Sequence, residues 1–408
     1  MTKKIPKLRF KGFTDEWEEK ELGTEVADIT GGGTPNTSIP EYWNGNIDWY
    51  SPTEIGREVY ANGSVKQITE LGLKNSSAKL LPAGKTILFT SRAGIGDLAI
   101  LQRPGTTNQG FQSLVLKEGY DTHFFYSMGH LIKQFAEKYS SGSTFLEISG
   151  KMLSQMRMNI PSAIEQSQIG SFFKNFDALI ALHQRKQDKL LTVKKAMLEN
   201  IFPNEDADVP EIRFKGFTGK WERRKLEEVA RFRRGSFPQP YGNKEWYDGD
   251  GAMPFVQVID VTETLSLVEN TKQKISTIAQ AKSVFVEKGK IVVTLQGSIG
   301  RVAIVQYDAY VDRTLLIFEE FKRKLDAQFW AYTIQQKFEI EKKKAPGGTI
   351  KTITKAALSV FQILLPAYSE QKKIGAFFQS LDSLISLHQR ELDKLKNIKK
   401  ACLEKMFV

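Results

Sequence analysis

Two long segments of the chain repeat apolar residues at helical spacing. Residues 165–202 carry them at Ile169, Phe172, Phe176 and Leu179 and again further along, without an internal proline. Spacings of three and four residues place such side chains on one face of a helix. Residues 370–407 repeat the pattern, and a proline precedes each segment by a few residues. The sequence therefore predicts two helices of about 57 Å each.

These helices belong to a larger unit that occurs twice in the chain. Residues 9–14, Arg-Phe-Lys-Gly-Phe-Thr, recur as residues 213–218 at an offset of 204 residues. The two helical segments share more than half of their residues at an offset of 205, whereas residues 24–84 and 229–288 are almost unrelated. A repeat of this length indicates a duplicated architecture. The helices and module edges are alike, and the module interiors differ.

The orientation of the two helices follows from their length. A single apolar stripe needs a partner, and the nearest candidate is the duplicate helix, which predicts an intramolecular coiled coil. A module of about 38 Å diameter could not return the chain by about 57 Å to start a parallel helix. We therefore expect antiparallel helices and pseudo-twofold symmetry. The expected domains are a module at 1–163, a helix at 164–204, a module at 205–366 and a helix at 367–408.

Each module is predicted to mix α and β structure, which makes the fold class α+β. Residues 86–90 and 291–295 are strand-like and are bounded by glycine turns, whereas residues 123–139 and 327–344 have helical patterns. We expect a twisted sheet or partial barrel with a few packed helices in each module.

Composition narrows the function classes. The net charge is +11, and residues 205–366 carry the largest share of the excess while residues 1–163 are nearly neutral. A basic balance fits a polyanionic partner without proving one. The single cysteine, Cys402, excludes an internal disulfide and a multi-cysteine zinc site. No apolar signal core or long apolar run occurs, so the cytoplasm is the expected compartment.

Motifs for catalysis are missing. The sequence has neither a phosphate-binding Gly-Lys-Ser/Thr loop nor a dinucleotide-binding glycine pattern, and Gly94-Ile95-Gly96 indicates a turn between strands. His183 and His388 occupy the same repeat position, and such a pair at a coiled-coil seam is more often structural than metal-ligating. We also find no adenine methyltransferase motif and no nuclease centre. The chain is therefore expected to hold no metal or cofactor and to be non-catalytic.

Polar, glycine-rich loops remain as candidates for binding, and they recur at equivalent positions of both modules. Glycine allows close backbone approach to phosphates, and Arg, Asn and Gln can address base edges. Any one loop could equally be an ordinary turn, but the recurring set favours DNA contact. The candidate residues are Gly33, Thr34, Asn36, Ser91, Arg92, Asn108, Gln109, Ser143 and Thr144 in module one, and Arg233, Arg234, Ser236, Gln296, Ser298, Arg313, Lys343, Lys344 and Thr349 in module two.

Essentially the whole chain resembles the specificity subunits of type I restriction-modification systems. The resemblance rests on the Arg-Phe-x-Gly-Phe opening of each half and the Glu-Gln-x-x-Ile-Gly-x-Phe-Phe start of each helix. In module one it also rests on Gly-Thr-Pro at 33–35, Tyr-Trp at 42–43, Ile-Asp-Trp at 47–49, the run at 76–82 and Thr-Asn-Gln-Gly at 107–110. Module two lacks the Gly-Thr-Pro and Tyr-Trp motifs and has Arg-Gly-Ser-Phe-Pro at 234–238, which puts a shared mode of reading in doubt.

The resemblance implies two target-recognition domains that each read half of a split, asymmetric DNA site, with the helices setting the spacer. It further implies assembly with two adenine N6-methyltransferase subunits and with restriction subunits. S-adenosylmethionine, ATP and Mg²⁺ would then be handled by those partners. Two rival interpretations stay open: an interaction scaffold that does not read DNA, and an enzyme with an unfamiliar centre.

Overall fold

A computed structural model describes residues 5–92, 94–142, 146–204, 206–344 and 358–408. The chain forms two compact units. Unit 1 comprises residues 1–184 and 390–408, and unit 2 comprises residues 185–389. Each long helix therefore contributes its first part to one unit and its last part to the other. No helix among the described residues is long and apolar enough to cross a membrane.

The globular part of unit 1, called module one, contains three sheets. The five-stranded sheet has the order Ala27–Gly31, Gln112–Leu116, Thr86–Phe89, Leu98–Leu101 and Tyr60–Ala61. The three-stranded sheet has the order Lys66–Ile68, Trp43–Tyr50 and Gly105–Thr107, and Glu18–Glu21 pairs with Arg157–Ile160. Its α-helices are Glu70–Lys74, Thr122–Ser127, Gly129–Tyr139 and Gly150–Ser154, with a π-helical turn at Leu22–Val26 and 3₁₀ turns at Pro40–Tyr42 and Pro52–Glu54.

Module two, the globular part of unit 2, repeats this plan. One four-stranded sheet has the order Ala230–Arg234, Leu315–Phe321, Ile291–Thr294 and Val302–Ile304. The other has the order Gln273–Ile275, Met253–Val256, Ala309–Val311 and Val284–Val286, and Glu222–Lys225 pairs with Gln362–Leu365. Its helices are Leu226–Val229, Thr277–Gln280 and Ala327–Lys344, with single turns at Lys244–Trp246 and Val258–Asp260.

The mixed α and β class is confirmed, but each module has two main sheets instead of one. The apolar residues of a module form separate cores. In module one, Ile87 and Phe124 belong to the core that the long helices join, whereas Trp49 and Ile68 form a small core of their own. Because the cores are separate, the strands can form separate sheets. A period-two pattern in the sequence predicts a strand but does not show which sheet the strand joins. The predicted strands at 86–90 and 291–295 and both predicted module helices are present, the first interrupted at Met128.

The two long helices, Ala163–Ile201 and Tyr368–Met406, each contain 39 residues. Their pairing is antiparallel within each unit. In unit 1, Phe173 stacks on Phe407 at 5.7 Å between ring centroids, and the next turn pairs Asp177 with Lys399. In unit 2, Phe202 stacks on Phe378, and Lys194 pairs with Asp382 at 2.6 Å. Partner numbers fall as helix numbers rise, which confirms the predicted antiparallel direction.

The motif that opens each module is bonded to the motif that opens the following long helix. Arg9 donates two hydrogen bonds of 2.7 and 2.8 Å to Glu165, whose side chain is 1% exposed. Arg213 donates two bonds of 2.7 Å to Glu370, which is equally buried. A planar guanidinium that meets a carboxylate with two parallel bonds gives both strength and orientation. Each module is therefore fixed to the first turn of the long helix that follows it.

Candidate nucleic-acid interface

The loops of module one that carry the candidate residues from Gly33 to Gln109 meet at one place, which we call loop cluster one. It comprises residues 32–36, 50–54, 90–92, 94–97 and 107–110. The backbone N–H of Gly33 donates to Thr107 O at 2.8 Å, that of Asn108 to Tyr50 O at 3.0 Å, and that of Ser91 to Gly110 O at 2.8 Å. Four segments that are distant in sequence are thereby tied to one another by backbone hydrogen bonds.

One loop of the cluster is the glycine turn that joins two strands of the five-stranded sheet. The hydroxyl of Thr90 donates to Gly94 O at 2.6 Å and accepts from the Asp97 N–H at 2.9 Å. Gly94 and Gly96 have φ of 104° and 94°, a left-handed conformation that favours glycine. The turn predicted for the Gly-Ile-Gly sequence is confirmed, and the hydroxyl of Thr90 closes the turn.

A second loop is the turn at residues 108–110. The side-chain oxygen of Asn108 accepts from the Gly110 N–H at 2.8 Å, so the asparagine closes the turn around the residue between them. That residue, Gln109, is exposed, and its Oε1 accepts a 2.6 Å hydrogen bond from the Thr34 hydroxyl. The turn therefore presents a side chain whose amide is already oriented.

Loop cluster two, in module two, comprises residues 235–241, 256–260, 294–301 and 311–314. Its backbone hydrogen bonds repeat those of loop cluster one: Ser236 N–H donates to Val311 O at 3.0 Å, Asp312 N–H to Val256 O at 3.0 Å, and Leu295 N–H to Thr314 O at 2.8 Å. Thr294 closes its turn as Thr90 does, by donating to Ser298 O and accepting from Arg301 N–H. The two clusters share one backbone frame.

The turn at 312–314 orients its exposed residue, Arg313, against an aromatic ring, whereas Gln109 is oriented by a hydrogen bond. Asp312 accepts from the Thr314 N–H at 2.9 Å and from the Tyr241 hydroxyl at 2.6 Å. The guanidinium of Arg313 lies over the Tyr241 ring, 5.3 Å from its centroid. Burial, reinforced by Asp312, raises the pKa of Tyr241 to about 12, so the phenol stays protonated as a donor at neutral pH.

Close packing explains why each frame needs a small residue beside these turns. A Cβ on Gly32 would lie 2.0 Å from Asn108 O, and a Cβ on Gly235 would lie 2.2 Å from Val311 O. Gly33, which the sequence analysis selected, is buried, and its carbonyl accepts a 2.8 Å bond from the Trp49 indole. Gly32 and Gly33 of the Gly-Gly-Gly run thus serve packing inside the frame.

Motifs that module two lacks in sequence have counterparts in space. Ser236 takes the hydrogen-bonding place of Gly33, so Pro238 falls in register with Pro35. Thr69 N–H donates to Tyr42 O and Ser276 N–H donates to Trp246 O, at 3.0 Å each. The Tyr-Trp pair at 42–43 therefore matches a Trp-Tyr pair at 246–247. The two modules therefore share this part of the backbone frame although their motifs differ.

The candidate residues divide by exposure. Thr34, Asn36, Arg92, Asn108 and Gln109 of module one and Arg233, Arg234, Ser236, Gln296, Ser298 and Arg313 of module two are exposed or partly exposed in or beside the loop clusters, whereas Gly33 and Ser91 are buried. Arg233 also lies 3.8 Å from Glu319. Ser143, Thr144 and Thr349 lie outside the described residues, as do the side chains of Lys343 and Lys344. Their assignment to DNA contact stays a prediction throughout.

Two residues of loop cluster two were missed in the sequence. Tyr241 supports Arg313, and no pattern marked it because its partner is far along the chain. Arg301 follows the glycine turn and lies 3.0 Å from Glu263. The offset of 204 residues would have aligned it with Asp97, where the charge is opposite. Within the described ranges, no group of three or more His, Cys, Asp or Glu side chains could hold a metal ion.

Comparisons with known proteins give a consistent result. A family model described as type I restriction modification DNA specificity domain matches the chain twice, at residues 14–192 and 218–397. The chain is 26% identical to the type I restriction enzyme MjaIX specificity subunit of Methanocaldococcus jannaschii, over 99% of this chain and 93% of that protein. It is 34% identical to the EcoR124I/EcoR124II specificity subunit of Escherichia coli, over 42% of this chain and 43% of that protein.

Solved structures share the fold. The S subunit of a type I restriction-modification system from M. genitalium superposes with a TM-score of 0.61 at 15% identity, covering 99% of each chain. A chain from a structure that addresses complex assembly and conformational transition of the type I system superposes with a TM-score of 0.53 at 18% identity, covering 96% of this chain and 97% of that chain. At these identities the agreement concerns the fold alone.

Proposed function

The chain belongs to the family of type I restriction-modification DNA specificity domains, and we propose that its two modules each read one half of a split DNA site. The chain carries the DNA-recognition role of a specificity subunit. In the proposal, loop cluster one addresses one half-site and loop cluster two addresses the other. The half-sites differ in sequence because the exposed side chains of the two clusters differ.

One observation carries this proposal. Both modules build the same backbone frame from the same hydrogen bonds, and the frame presents different side chains, with Gln109 at the place of Arg313 and Asp97 at the place of Arg301. Base edges are read by side-chain hydrogen bonds, whereas phosphates are bound similarly at any sequence. A fixed frame with changed polar side chains is what two readers of different sequences require.

The partners complete the activity in this proposal. Two adenine N6-methyltransferase subunits would use the site that this chain selects, and ATP-dependent restriction subunits would cleave unmodified DNA. S-adenosylmethionine, ATP and Mg²⁺ would be bound by those subunits, and this chain would be non-catalytic. The long helices, whose lengths are equal, would set the number of base pairs between the half-sites.

The experiment is to co-express the full chain with a type I methyltransferase subunit and to map N6-methyladenine across the host genome. A split motif with a constant gap supports the proposal and identifies both half-sites. A stable complex that leaves the DNA unmethylated, together with duplex binding that lacks sequence preference, would favour the interaction scaffold instead. Methylation or cleavage by the isolated chain would favour the enzyme.

A further inference from the structure

The turns at 108–110 and 312–314 each present one exposed side chain at the junction of two sheets. In each turn the first residue continues the sheet that contains the strand Trp43–Tyr50 or Met253–Val256: the Asn108 N–H donates to Tyr50 O, and the Asp312 N–H donates to Val256 O. The third residue bonds to the chain just after a strand of the other sheet, Thr86–Phe89 or Ile291–Thr294, since Gly110 O accepts from the Ser91 N–H and Thr314 O accepts from the Leu295 N–H. The middle residues are therefore anchored on both sides.

The two middle residues are also oriented by their neighbours. Thr34 donates to Gln109 Oε1 at 2.6 Å, and the Tyr241 ring supports the Arg313 guanidinium at 5.3 Å. A polar side chain that is already ordered loses less conformational entropy when it binds. Ordering of this kind is useful for a contact that must discriminate between bases, and it is not needed for a general attraction to phosphate.

The chemistry of the two side chains differs, and each retains the groups that a base edge requires. Gln109 Oε1 keeps a second lone pair, and no described residue accepts a hydrogen bond from its Nε2. Arg313 makes no ion pair within the described ranges of the chain. Gln pairs with N6 and N7 of adenine, and Arg pairs with O6 and N7 of guanine, both through two hydrogen bonds.

We propose that Gln109 and Arg313 are the principal base-reading residues of their modules, Gln109 for an adenine and Arg313 for a guanine in the major groove. The inference rests on the proposed function and adds the residues and bases. The exchange of a neutral side chain for a cation at one backbone position argues against a phosphate contact, which would need similar charge in both modules.

The experiment exchanges the two side chains in the full chain. Arg313→Gln and Gln109→Arg are compared with Arg323→Gln and Gln102→Arg, matched controls on exposed residues at the far ends of the strands Leu315–Phe321 and Leu98–Leu101. Each variant is co-expressed with the methyltransferase subunit for N6-methyladenine mapping. The purified variants are also selected against duplexes with randomised half-sites, and their thermal unfolding is recorded to verify folding.

Arg313→Gln is expected to change the preferred base at one position of one half-site from guanine to adenine, and Gln109→Arg to make the reverse change in the other half-site. A lost contact of this kind should reduce discrimination about 5- to 150-fold at that position. Arg313→Ala should remove the guanine preference without creating another. The controls should leave both half-sites unchanged.

An unchanged preference in the folded variants, or an equal loss at all positions and on random DNA, would overturn the inference. If Arg313→Gln and Gln109→Arg change nothing while the unaltered chain still yields a split motif, the inference alone fails and the proposed function stands. If the unaltered chain yields no sequence preference, both are overturned.

Discussion

Each module has two functional regions that differ in how closely they repeat between the halves of the chain. At the helix attachment, Arg9 with Glu165 and Arg213 with Glu370 agree in chemistry, and their hydrogen bonds are all 2.7 to 2.8 Å long. In the loop clusters the backbone hydrogen bonds repeat just as closely, but the exposed side chains do not.

Burial accounts for the difference. A substitution at a side chain such as Glu165, which is 1% exposed, leaves a partner unpaired or a cavity open. A substitution at an exposed turn residue usually changes the stability by less than about 0.5 kcal/mol. The exposed side chains of the loop clusters can therefore differ between the modules while the backbone frame stays the same. Substitutions in each region test whether burial is the cause.

The largest effect is expected at the attachment. Glu165→Ala leaves the Arg9 guanidinium, which is mostly buried, without its carboxylate, and the free energy of unfolding should fall by about 3 to 5 kcal/mol. Urea denaturation measures this change, and Glu370→Ala should match it in unit 2. Glu19→Ala, which removes an exposed pair with Arg157, serves as the control and should cost less than about 1 kcal/mol. Equal losses in all three variants would contradict the role of burial.

A smaller loss of stability is expected within the frame of the loop clusters. Gly32→Ala and Gly235→Ala place a Cβ within 2.4 Å of backbone oxygen atoms, and such overpacking costs about 1 to 3 kcal/mol. Chemical denaturation is again the measurement. Gly84→Ala has open space around the new Cβ but a φ of +77°, so it separates backbone strain from crowding. A larger cost at Gly84 than at Gly32 would show that crowding is not the cause.

Binding should respond in only one half-site when a loop cluster loses a single contact. Arg92 and Gln296 hold equivalent positions in the two glycine turns, and both side chains are at least partly exposed. Arg92→Ala and Gln296→Ala should each weaken binding by about 1 to 3 kcal/mol, but at different half-sites. Titration of duplexes with one half-site altered measures the loss. Equal weakening on random DNA would mean that these residues only touch phosphate.

The smallest effect is expected when the substituted residue only orients a base-reading side chain. Thr34→Val removes the hydroxyl that bonds to Gln109 and keeps the side-chain shape, so discrimination by Gln109 should fall by about 1 kcal/mol. The same selection on randomised half-sites measures it, and the control is Thr53→Val, in the same cluster, whose hydroxyl is hydrogen-bonded to that of Ser51. A loss as large as that of Gln109→Ala would mean that Thr34 itself contacts DNA.

Much of the fold could be predicted because the same long unit occurs twice in the sequence. The helices at 163–201 and 368–406 begin two residues before the apolar segments 165–202 and 370–407 from which they were predicted. The division of each module into two sheets could not be predicted, because Tyr50 pairs with Thr107 across 57 residues and no local pattern encodes that pairing. The sequence could not show which candidate residues are buried, so Gly33 and Ser91 were included with the exposed ones, and the contact of the candidate loops with DNA stays a prediction.

The duplication, the two helices, their antiparallel direction and the family could all be derived from the order of the residues. Periodicity and repetition carry that information, and helix geometry converts it into length and direction. Only the tertiary structure decided that distant loops share one frame, that Asp312 and Tyr241 support Arg313, and that Trp-Tyr at 246–247 replaces Tyr-Trp at 42–43. These contacts join residues far apart in the chain, and their existence depends on packing that residue order does not specify locally.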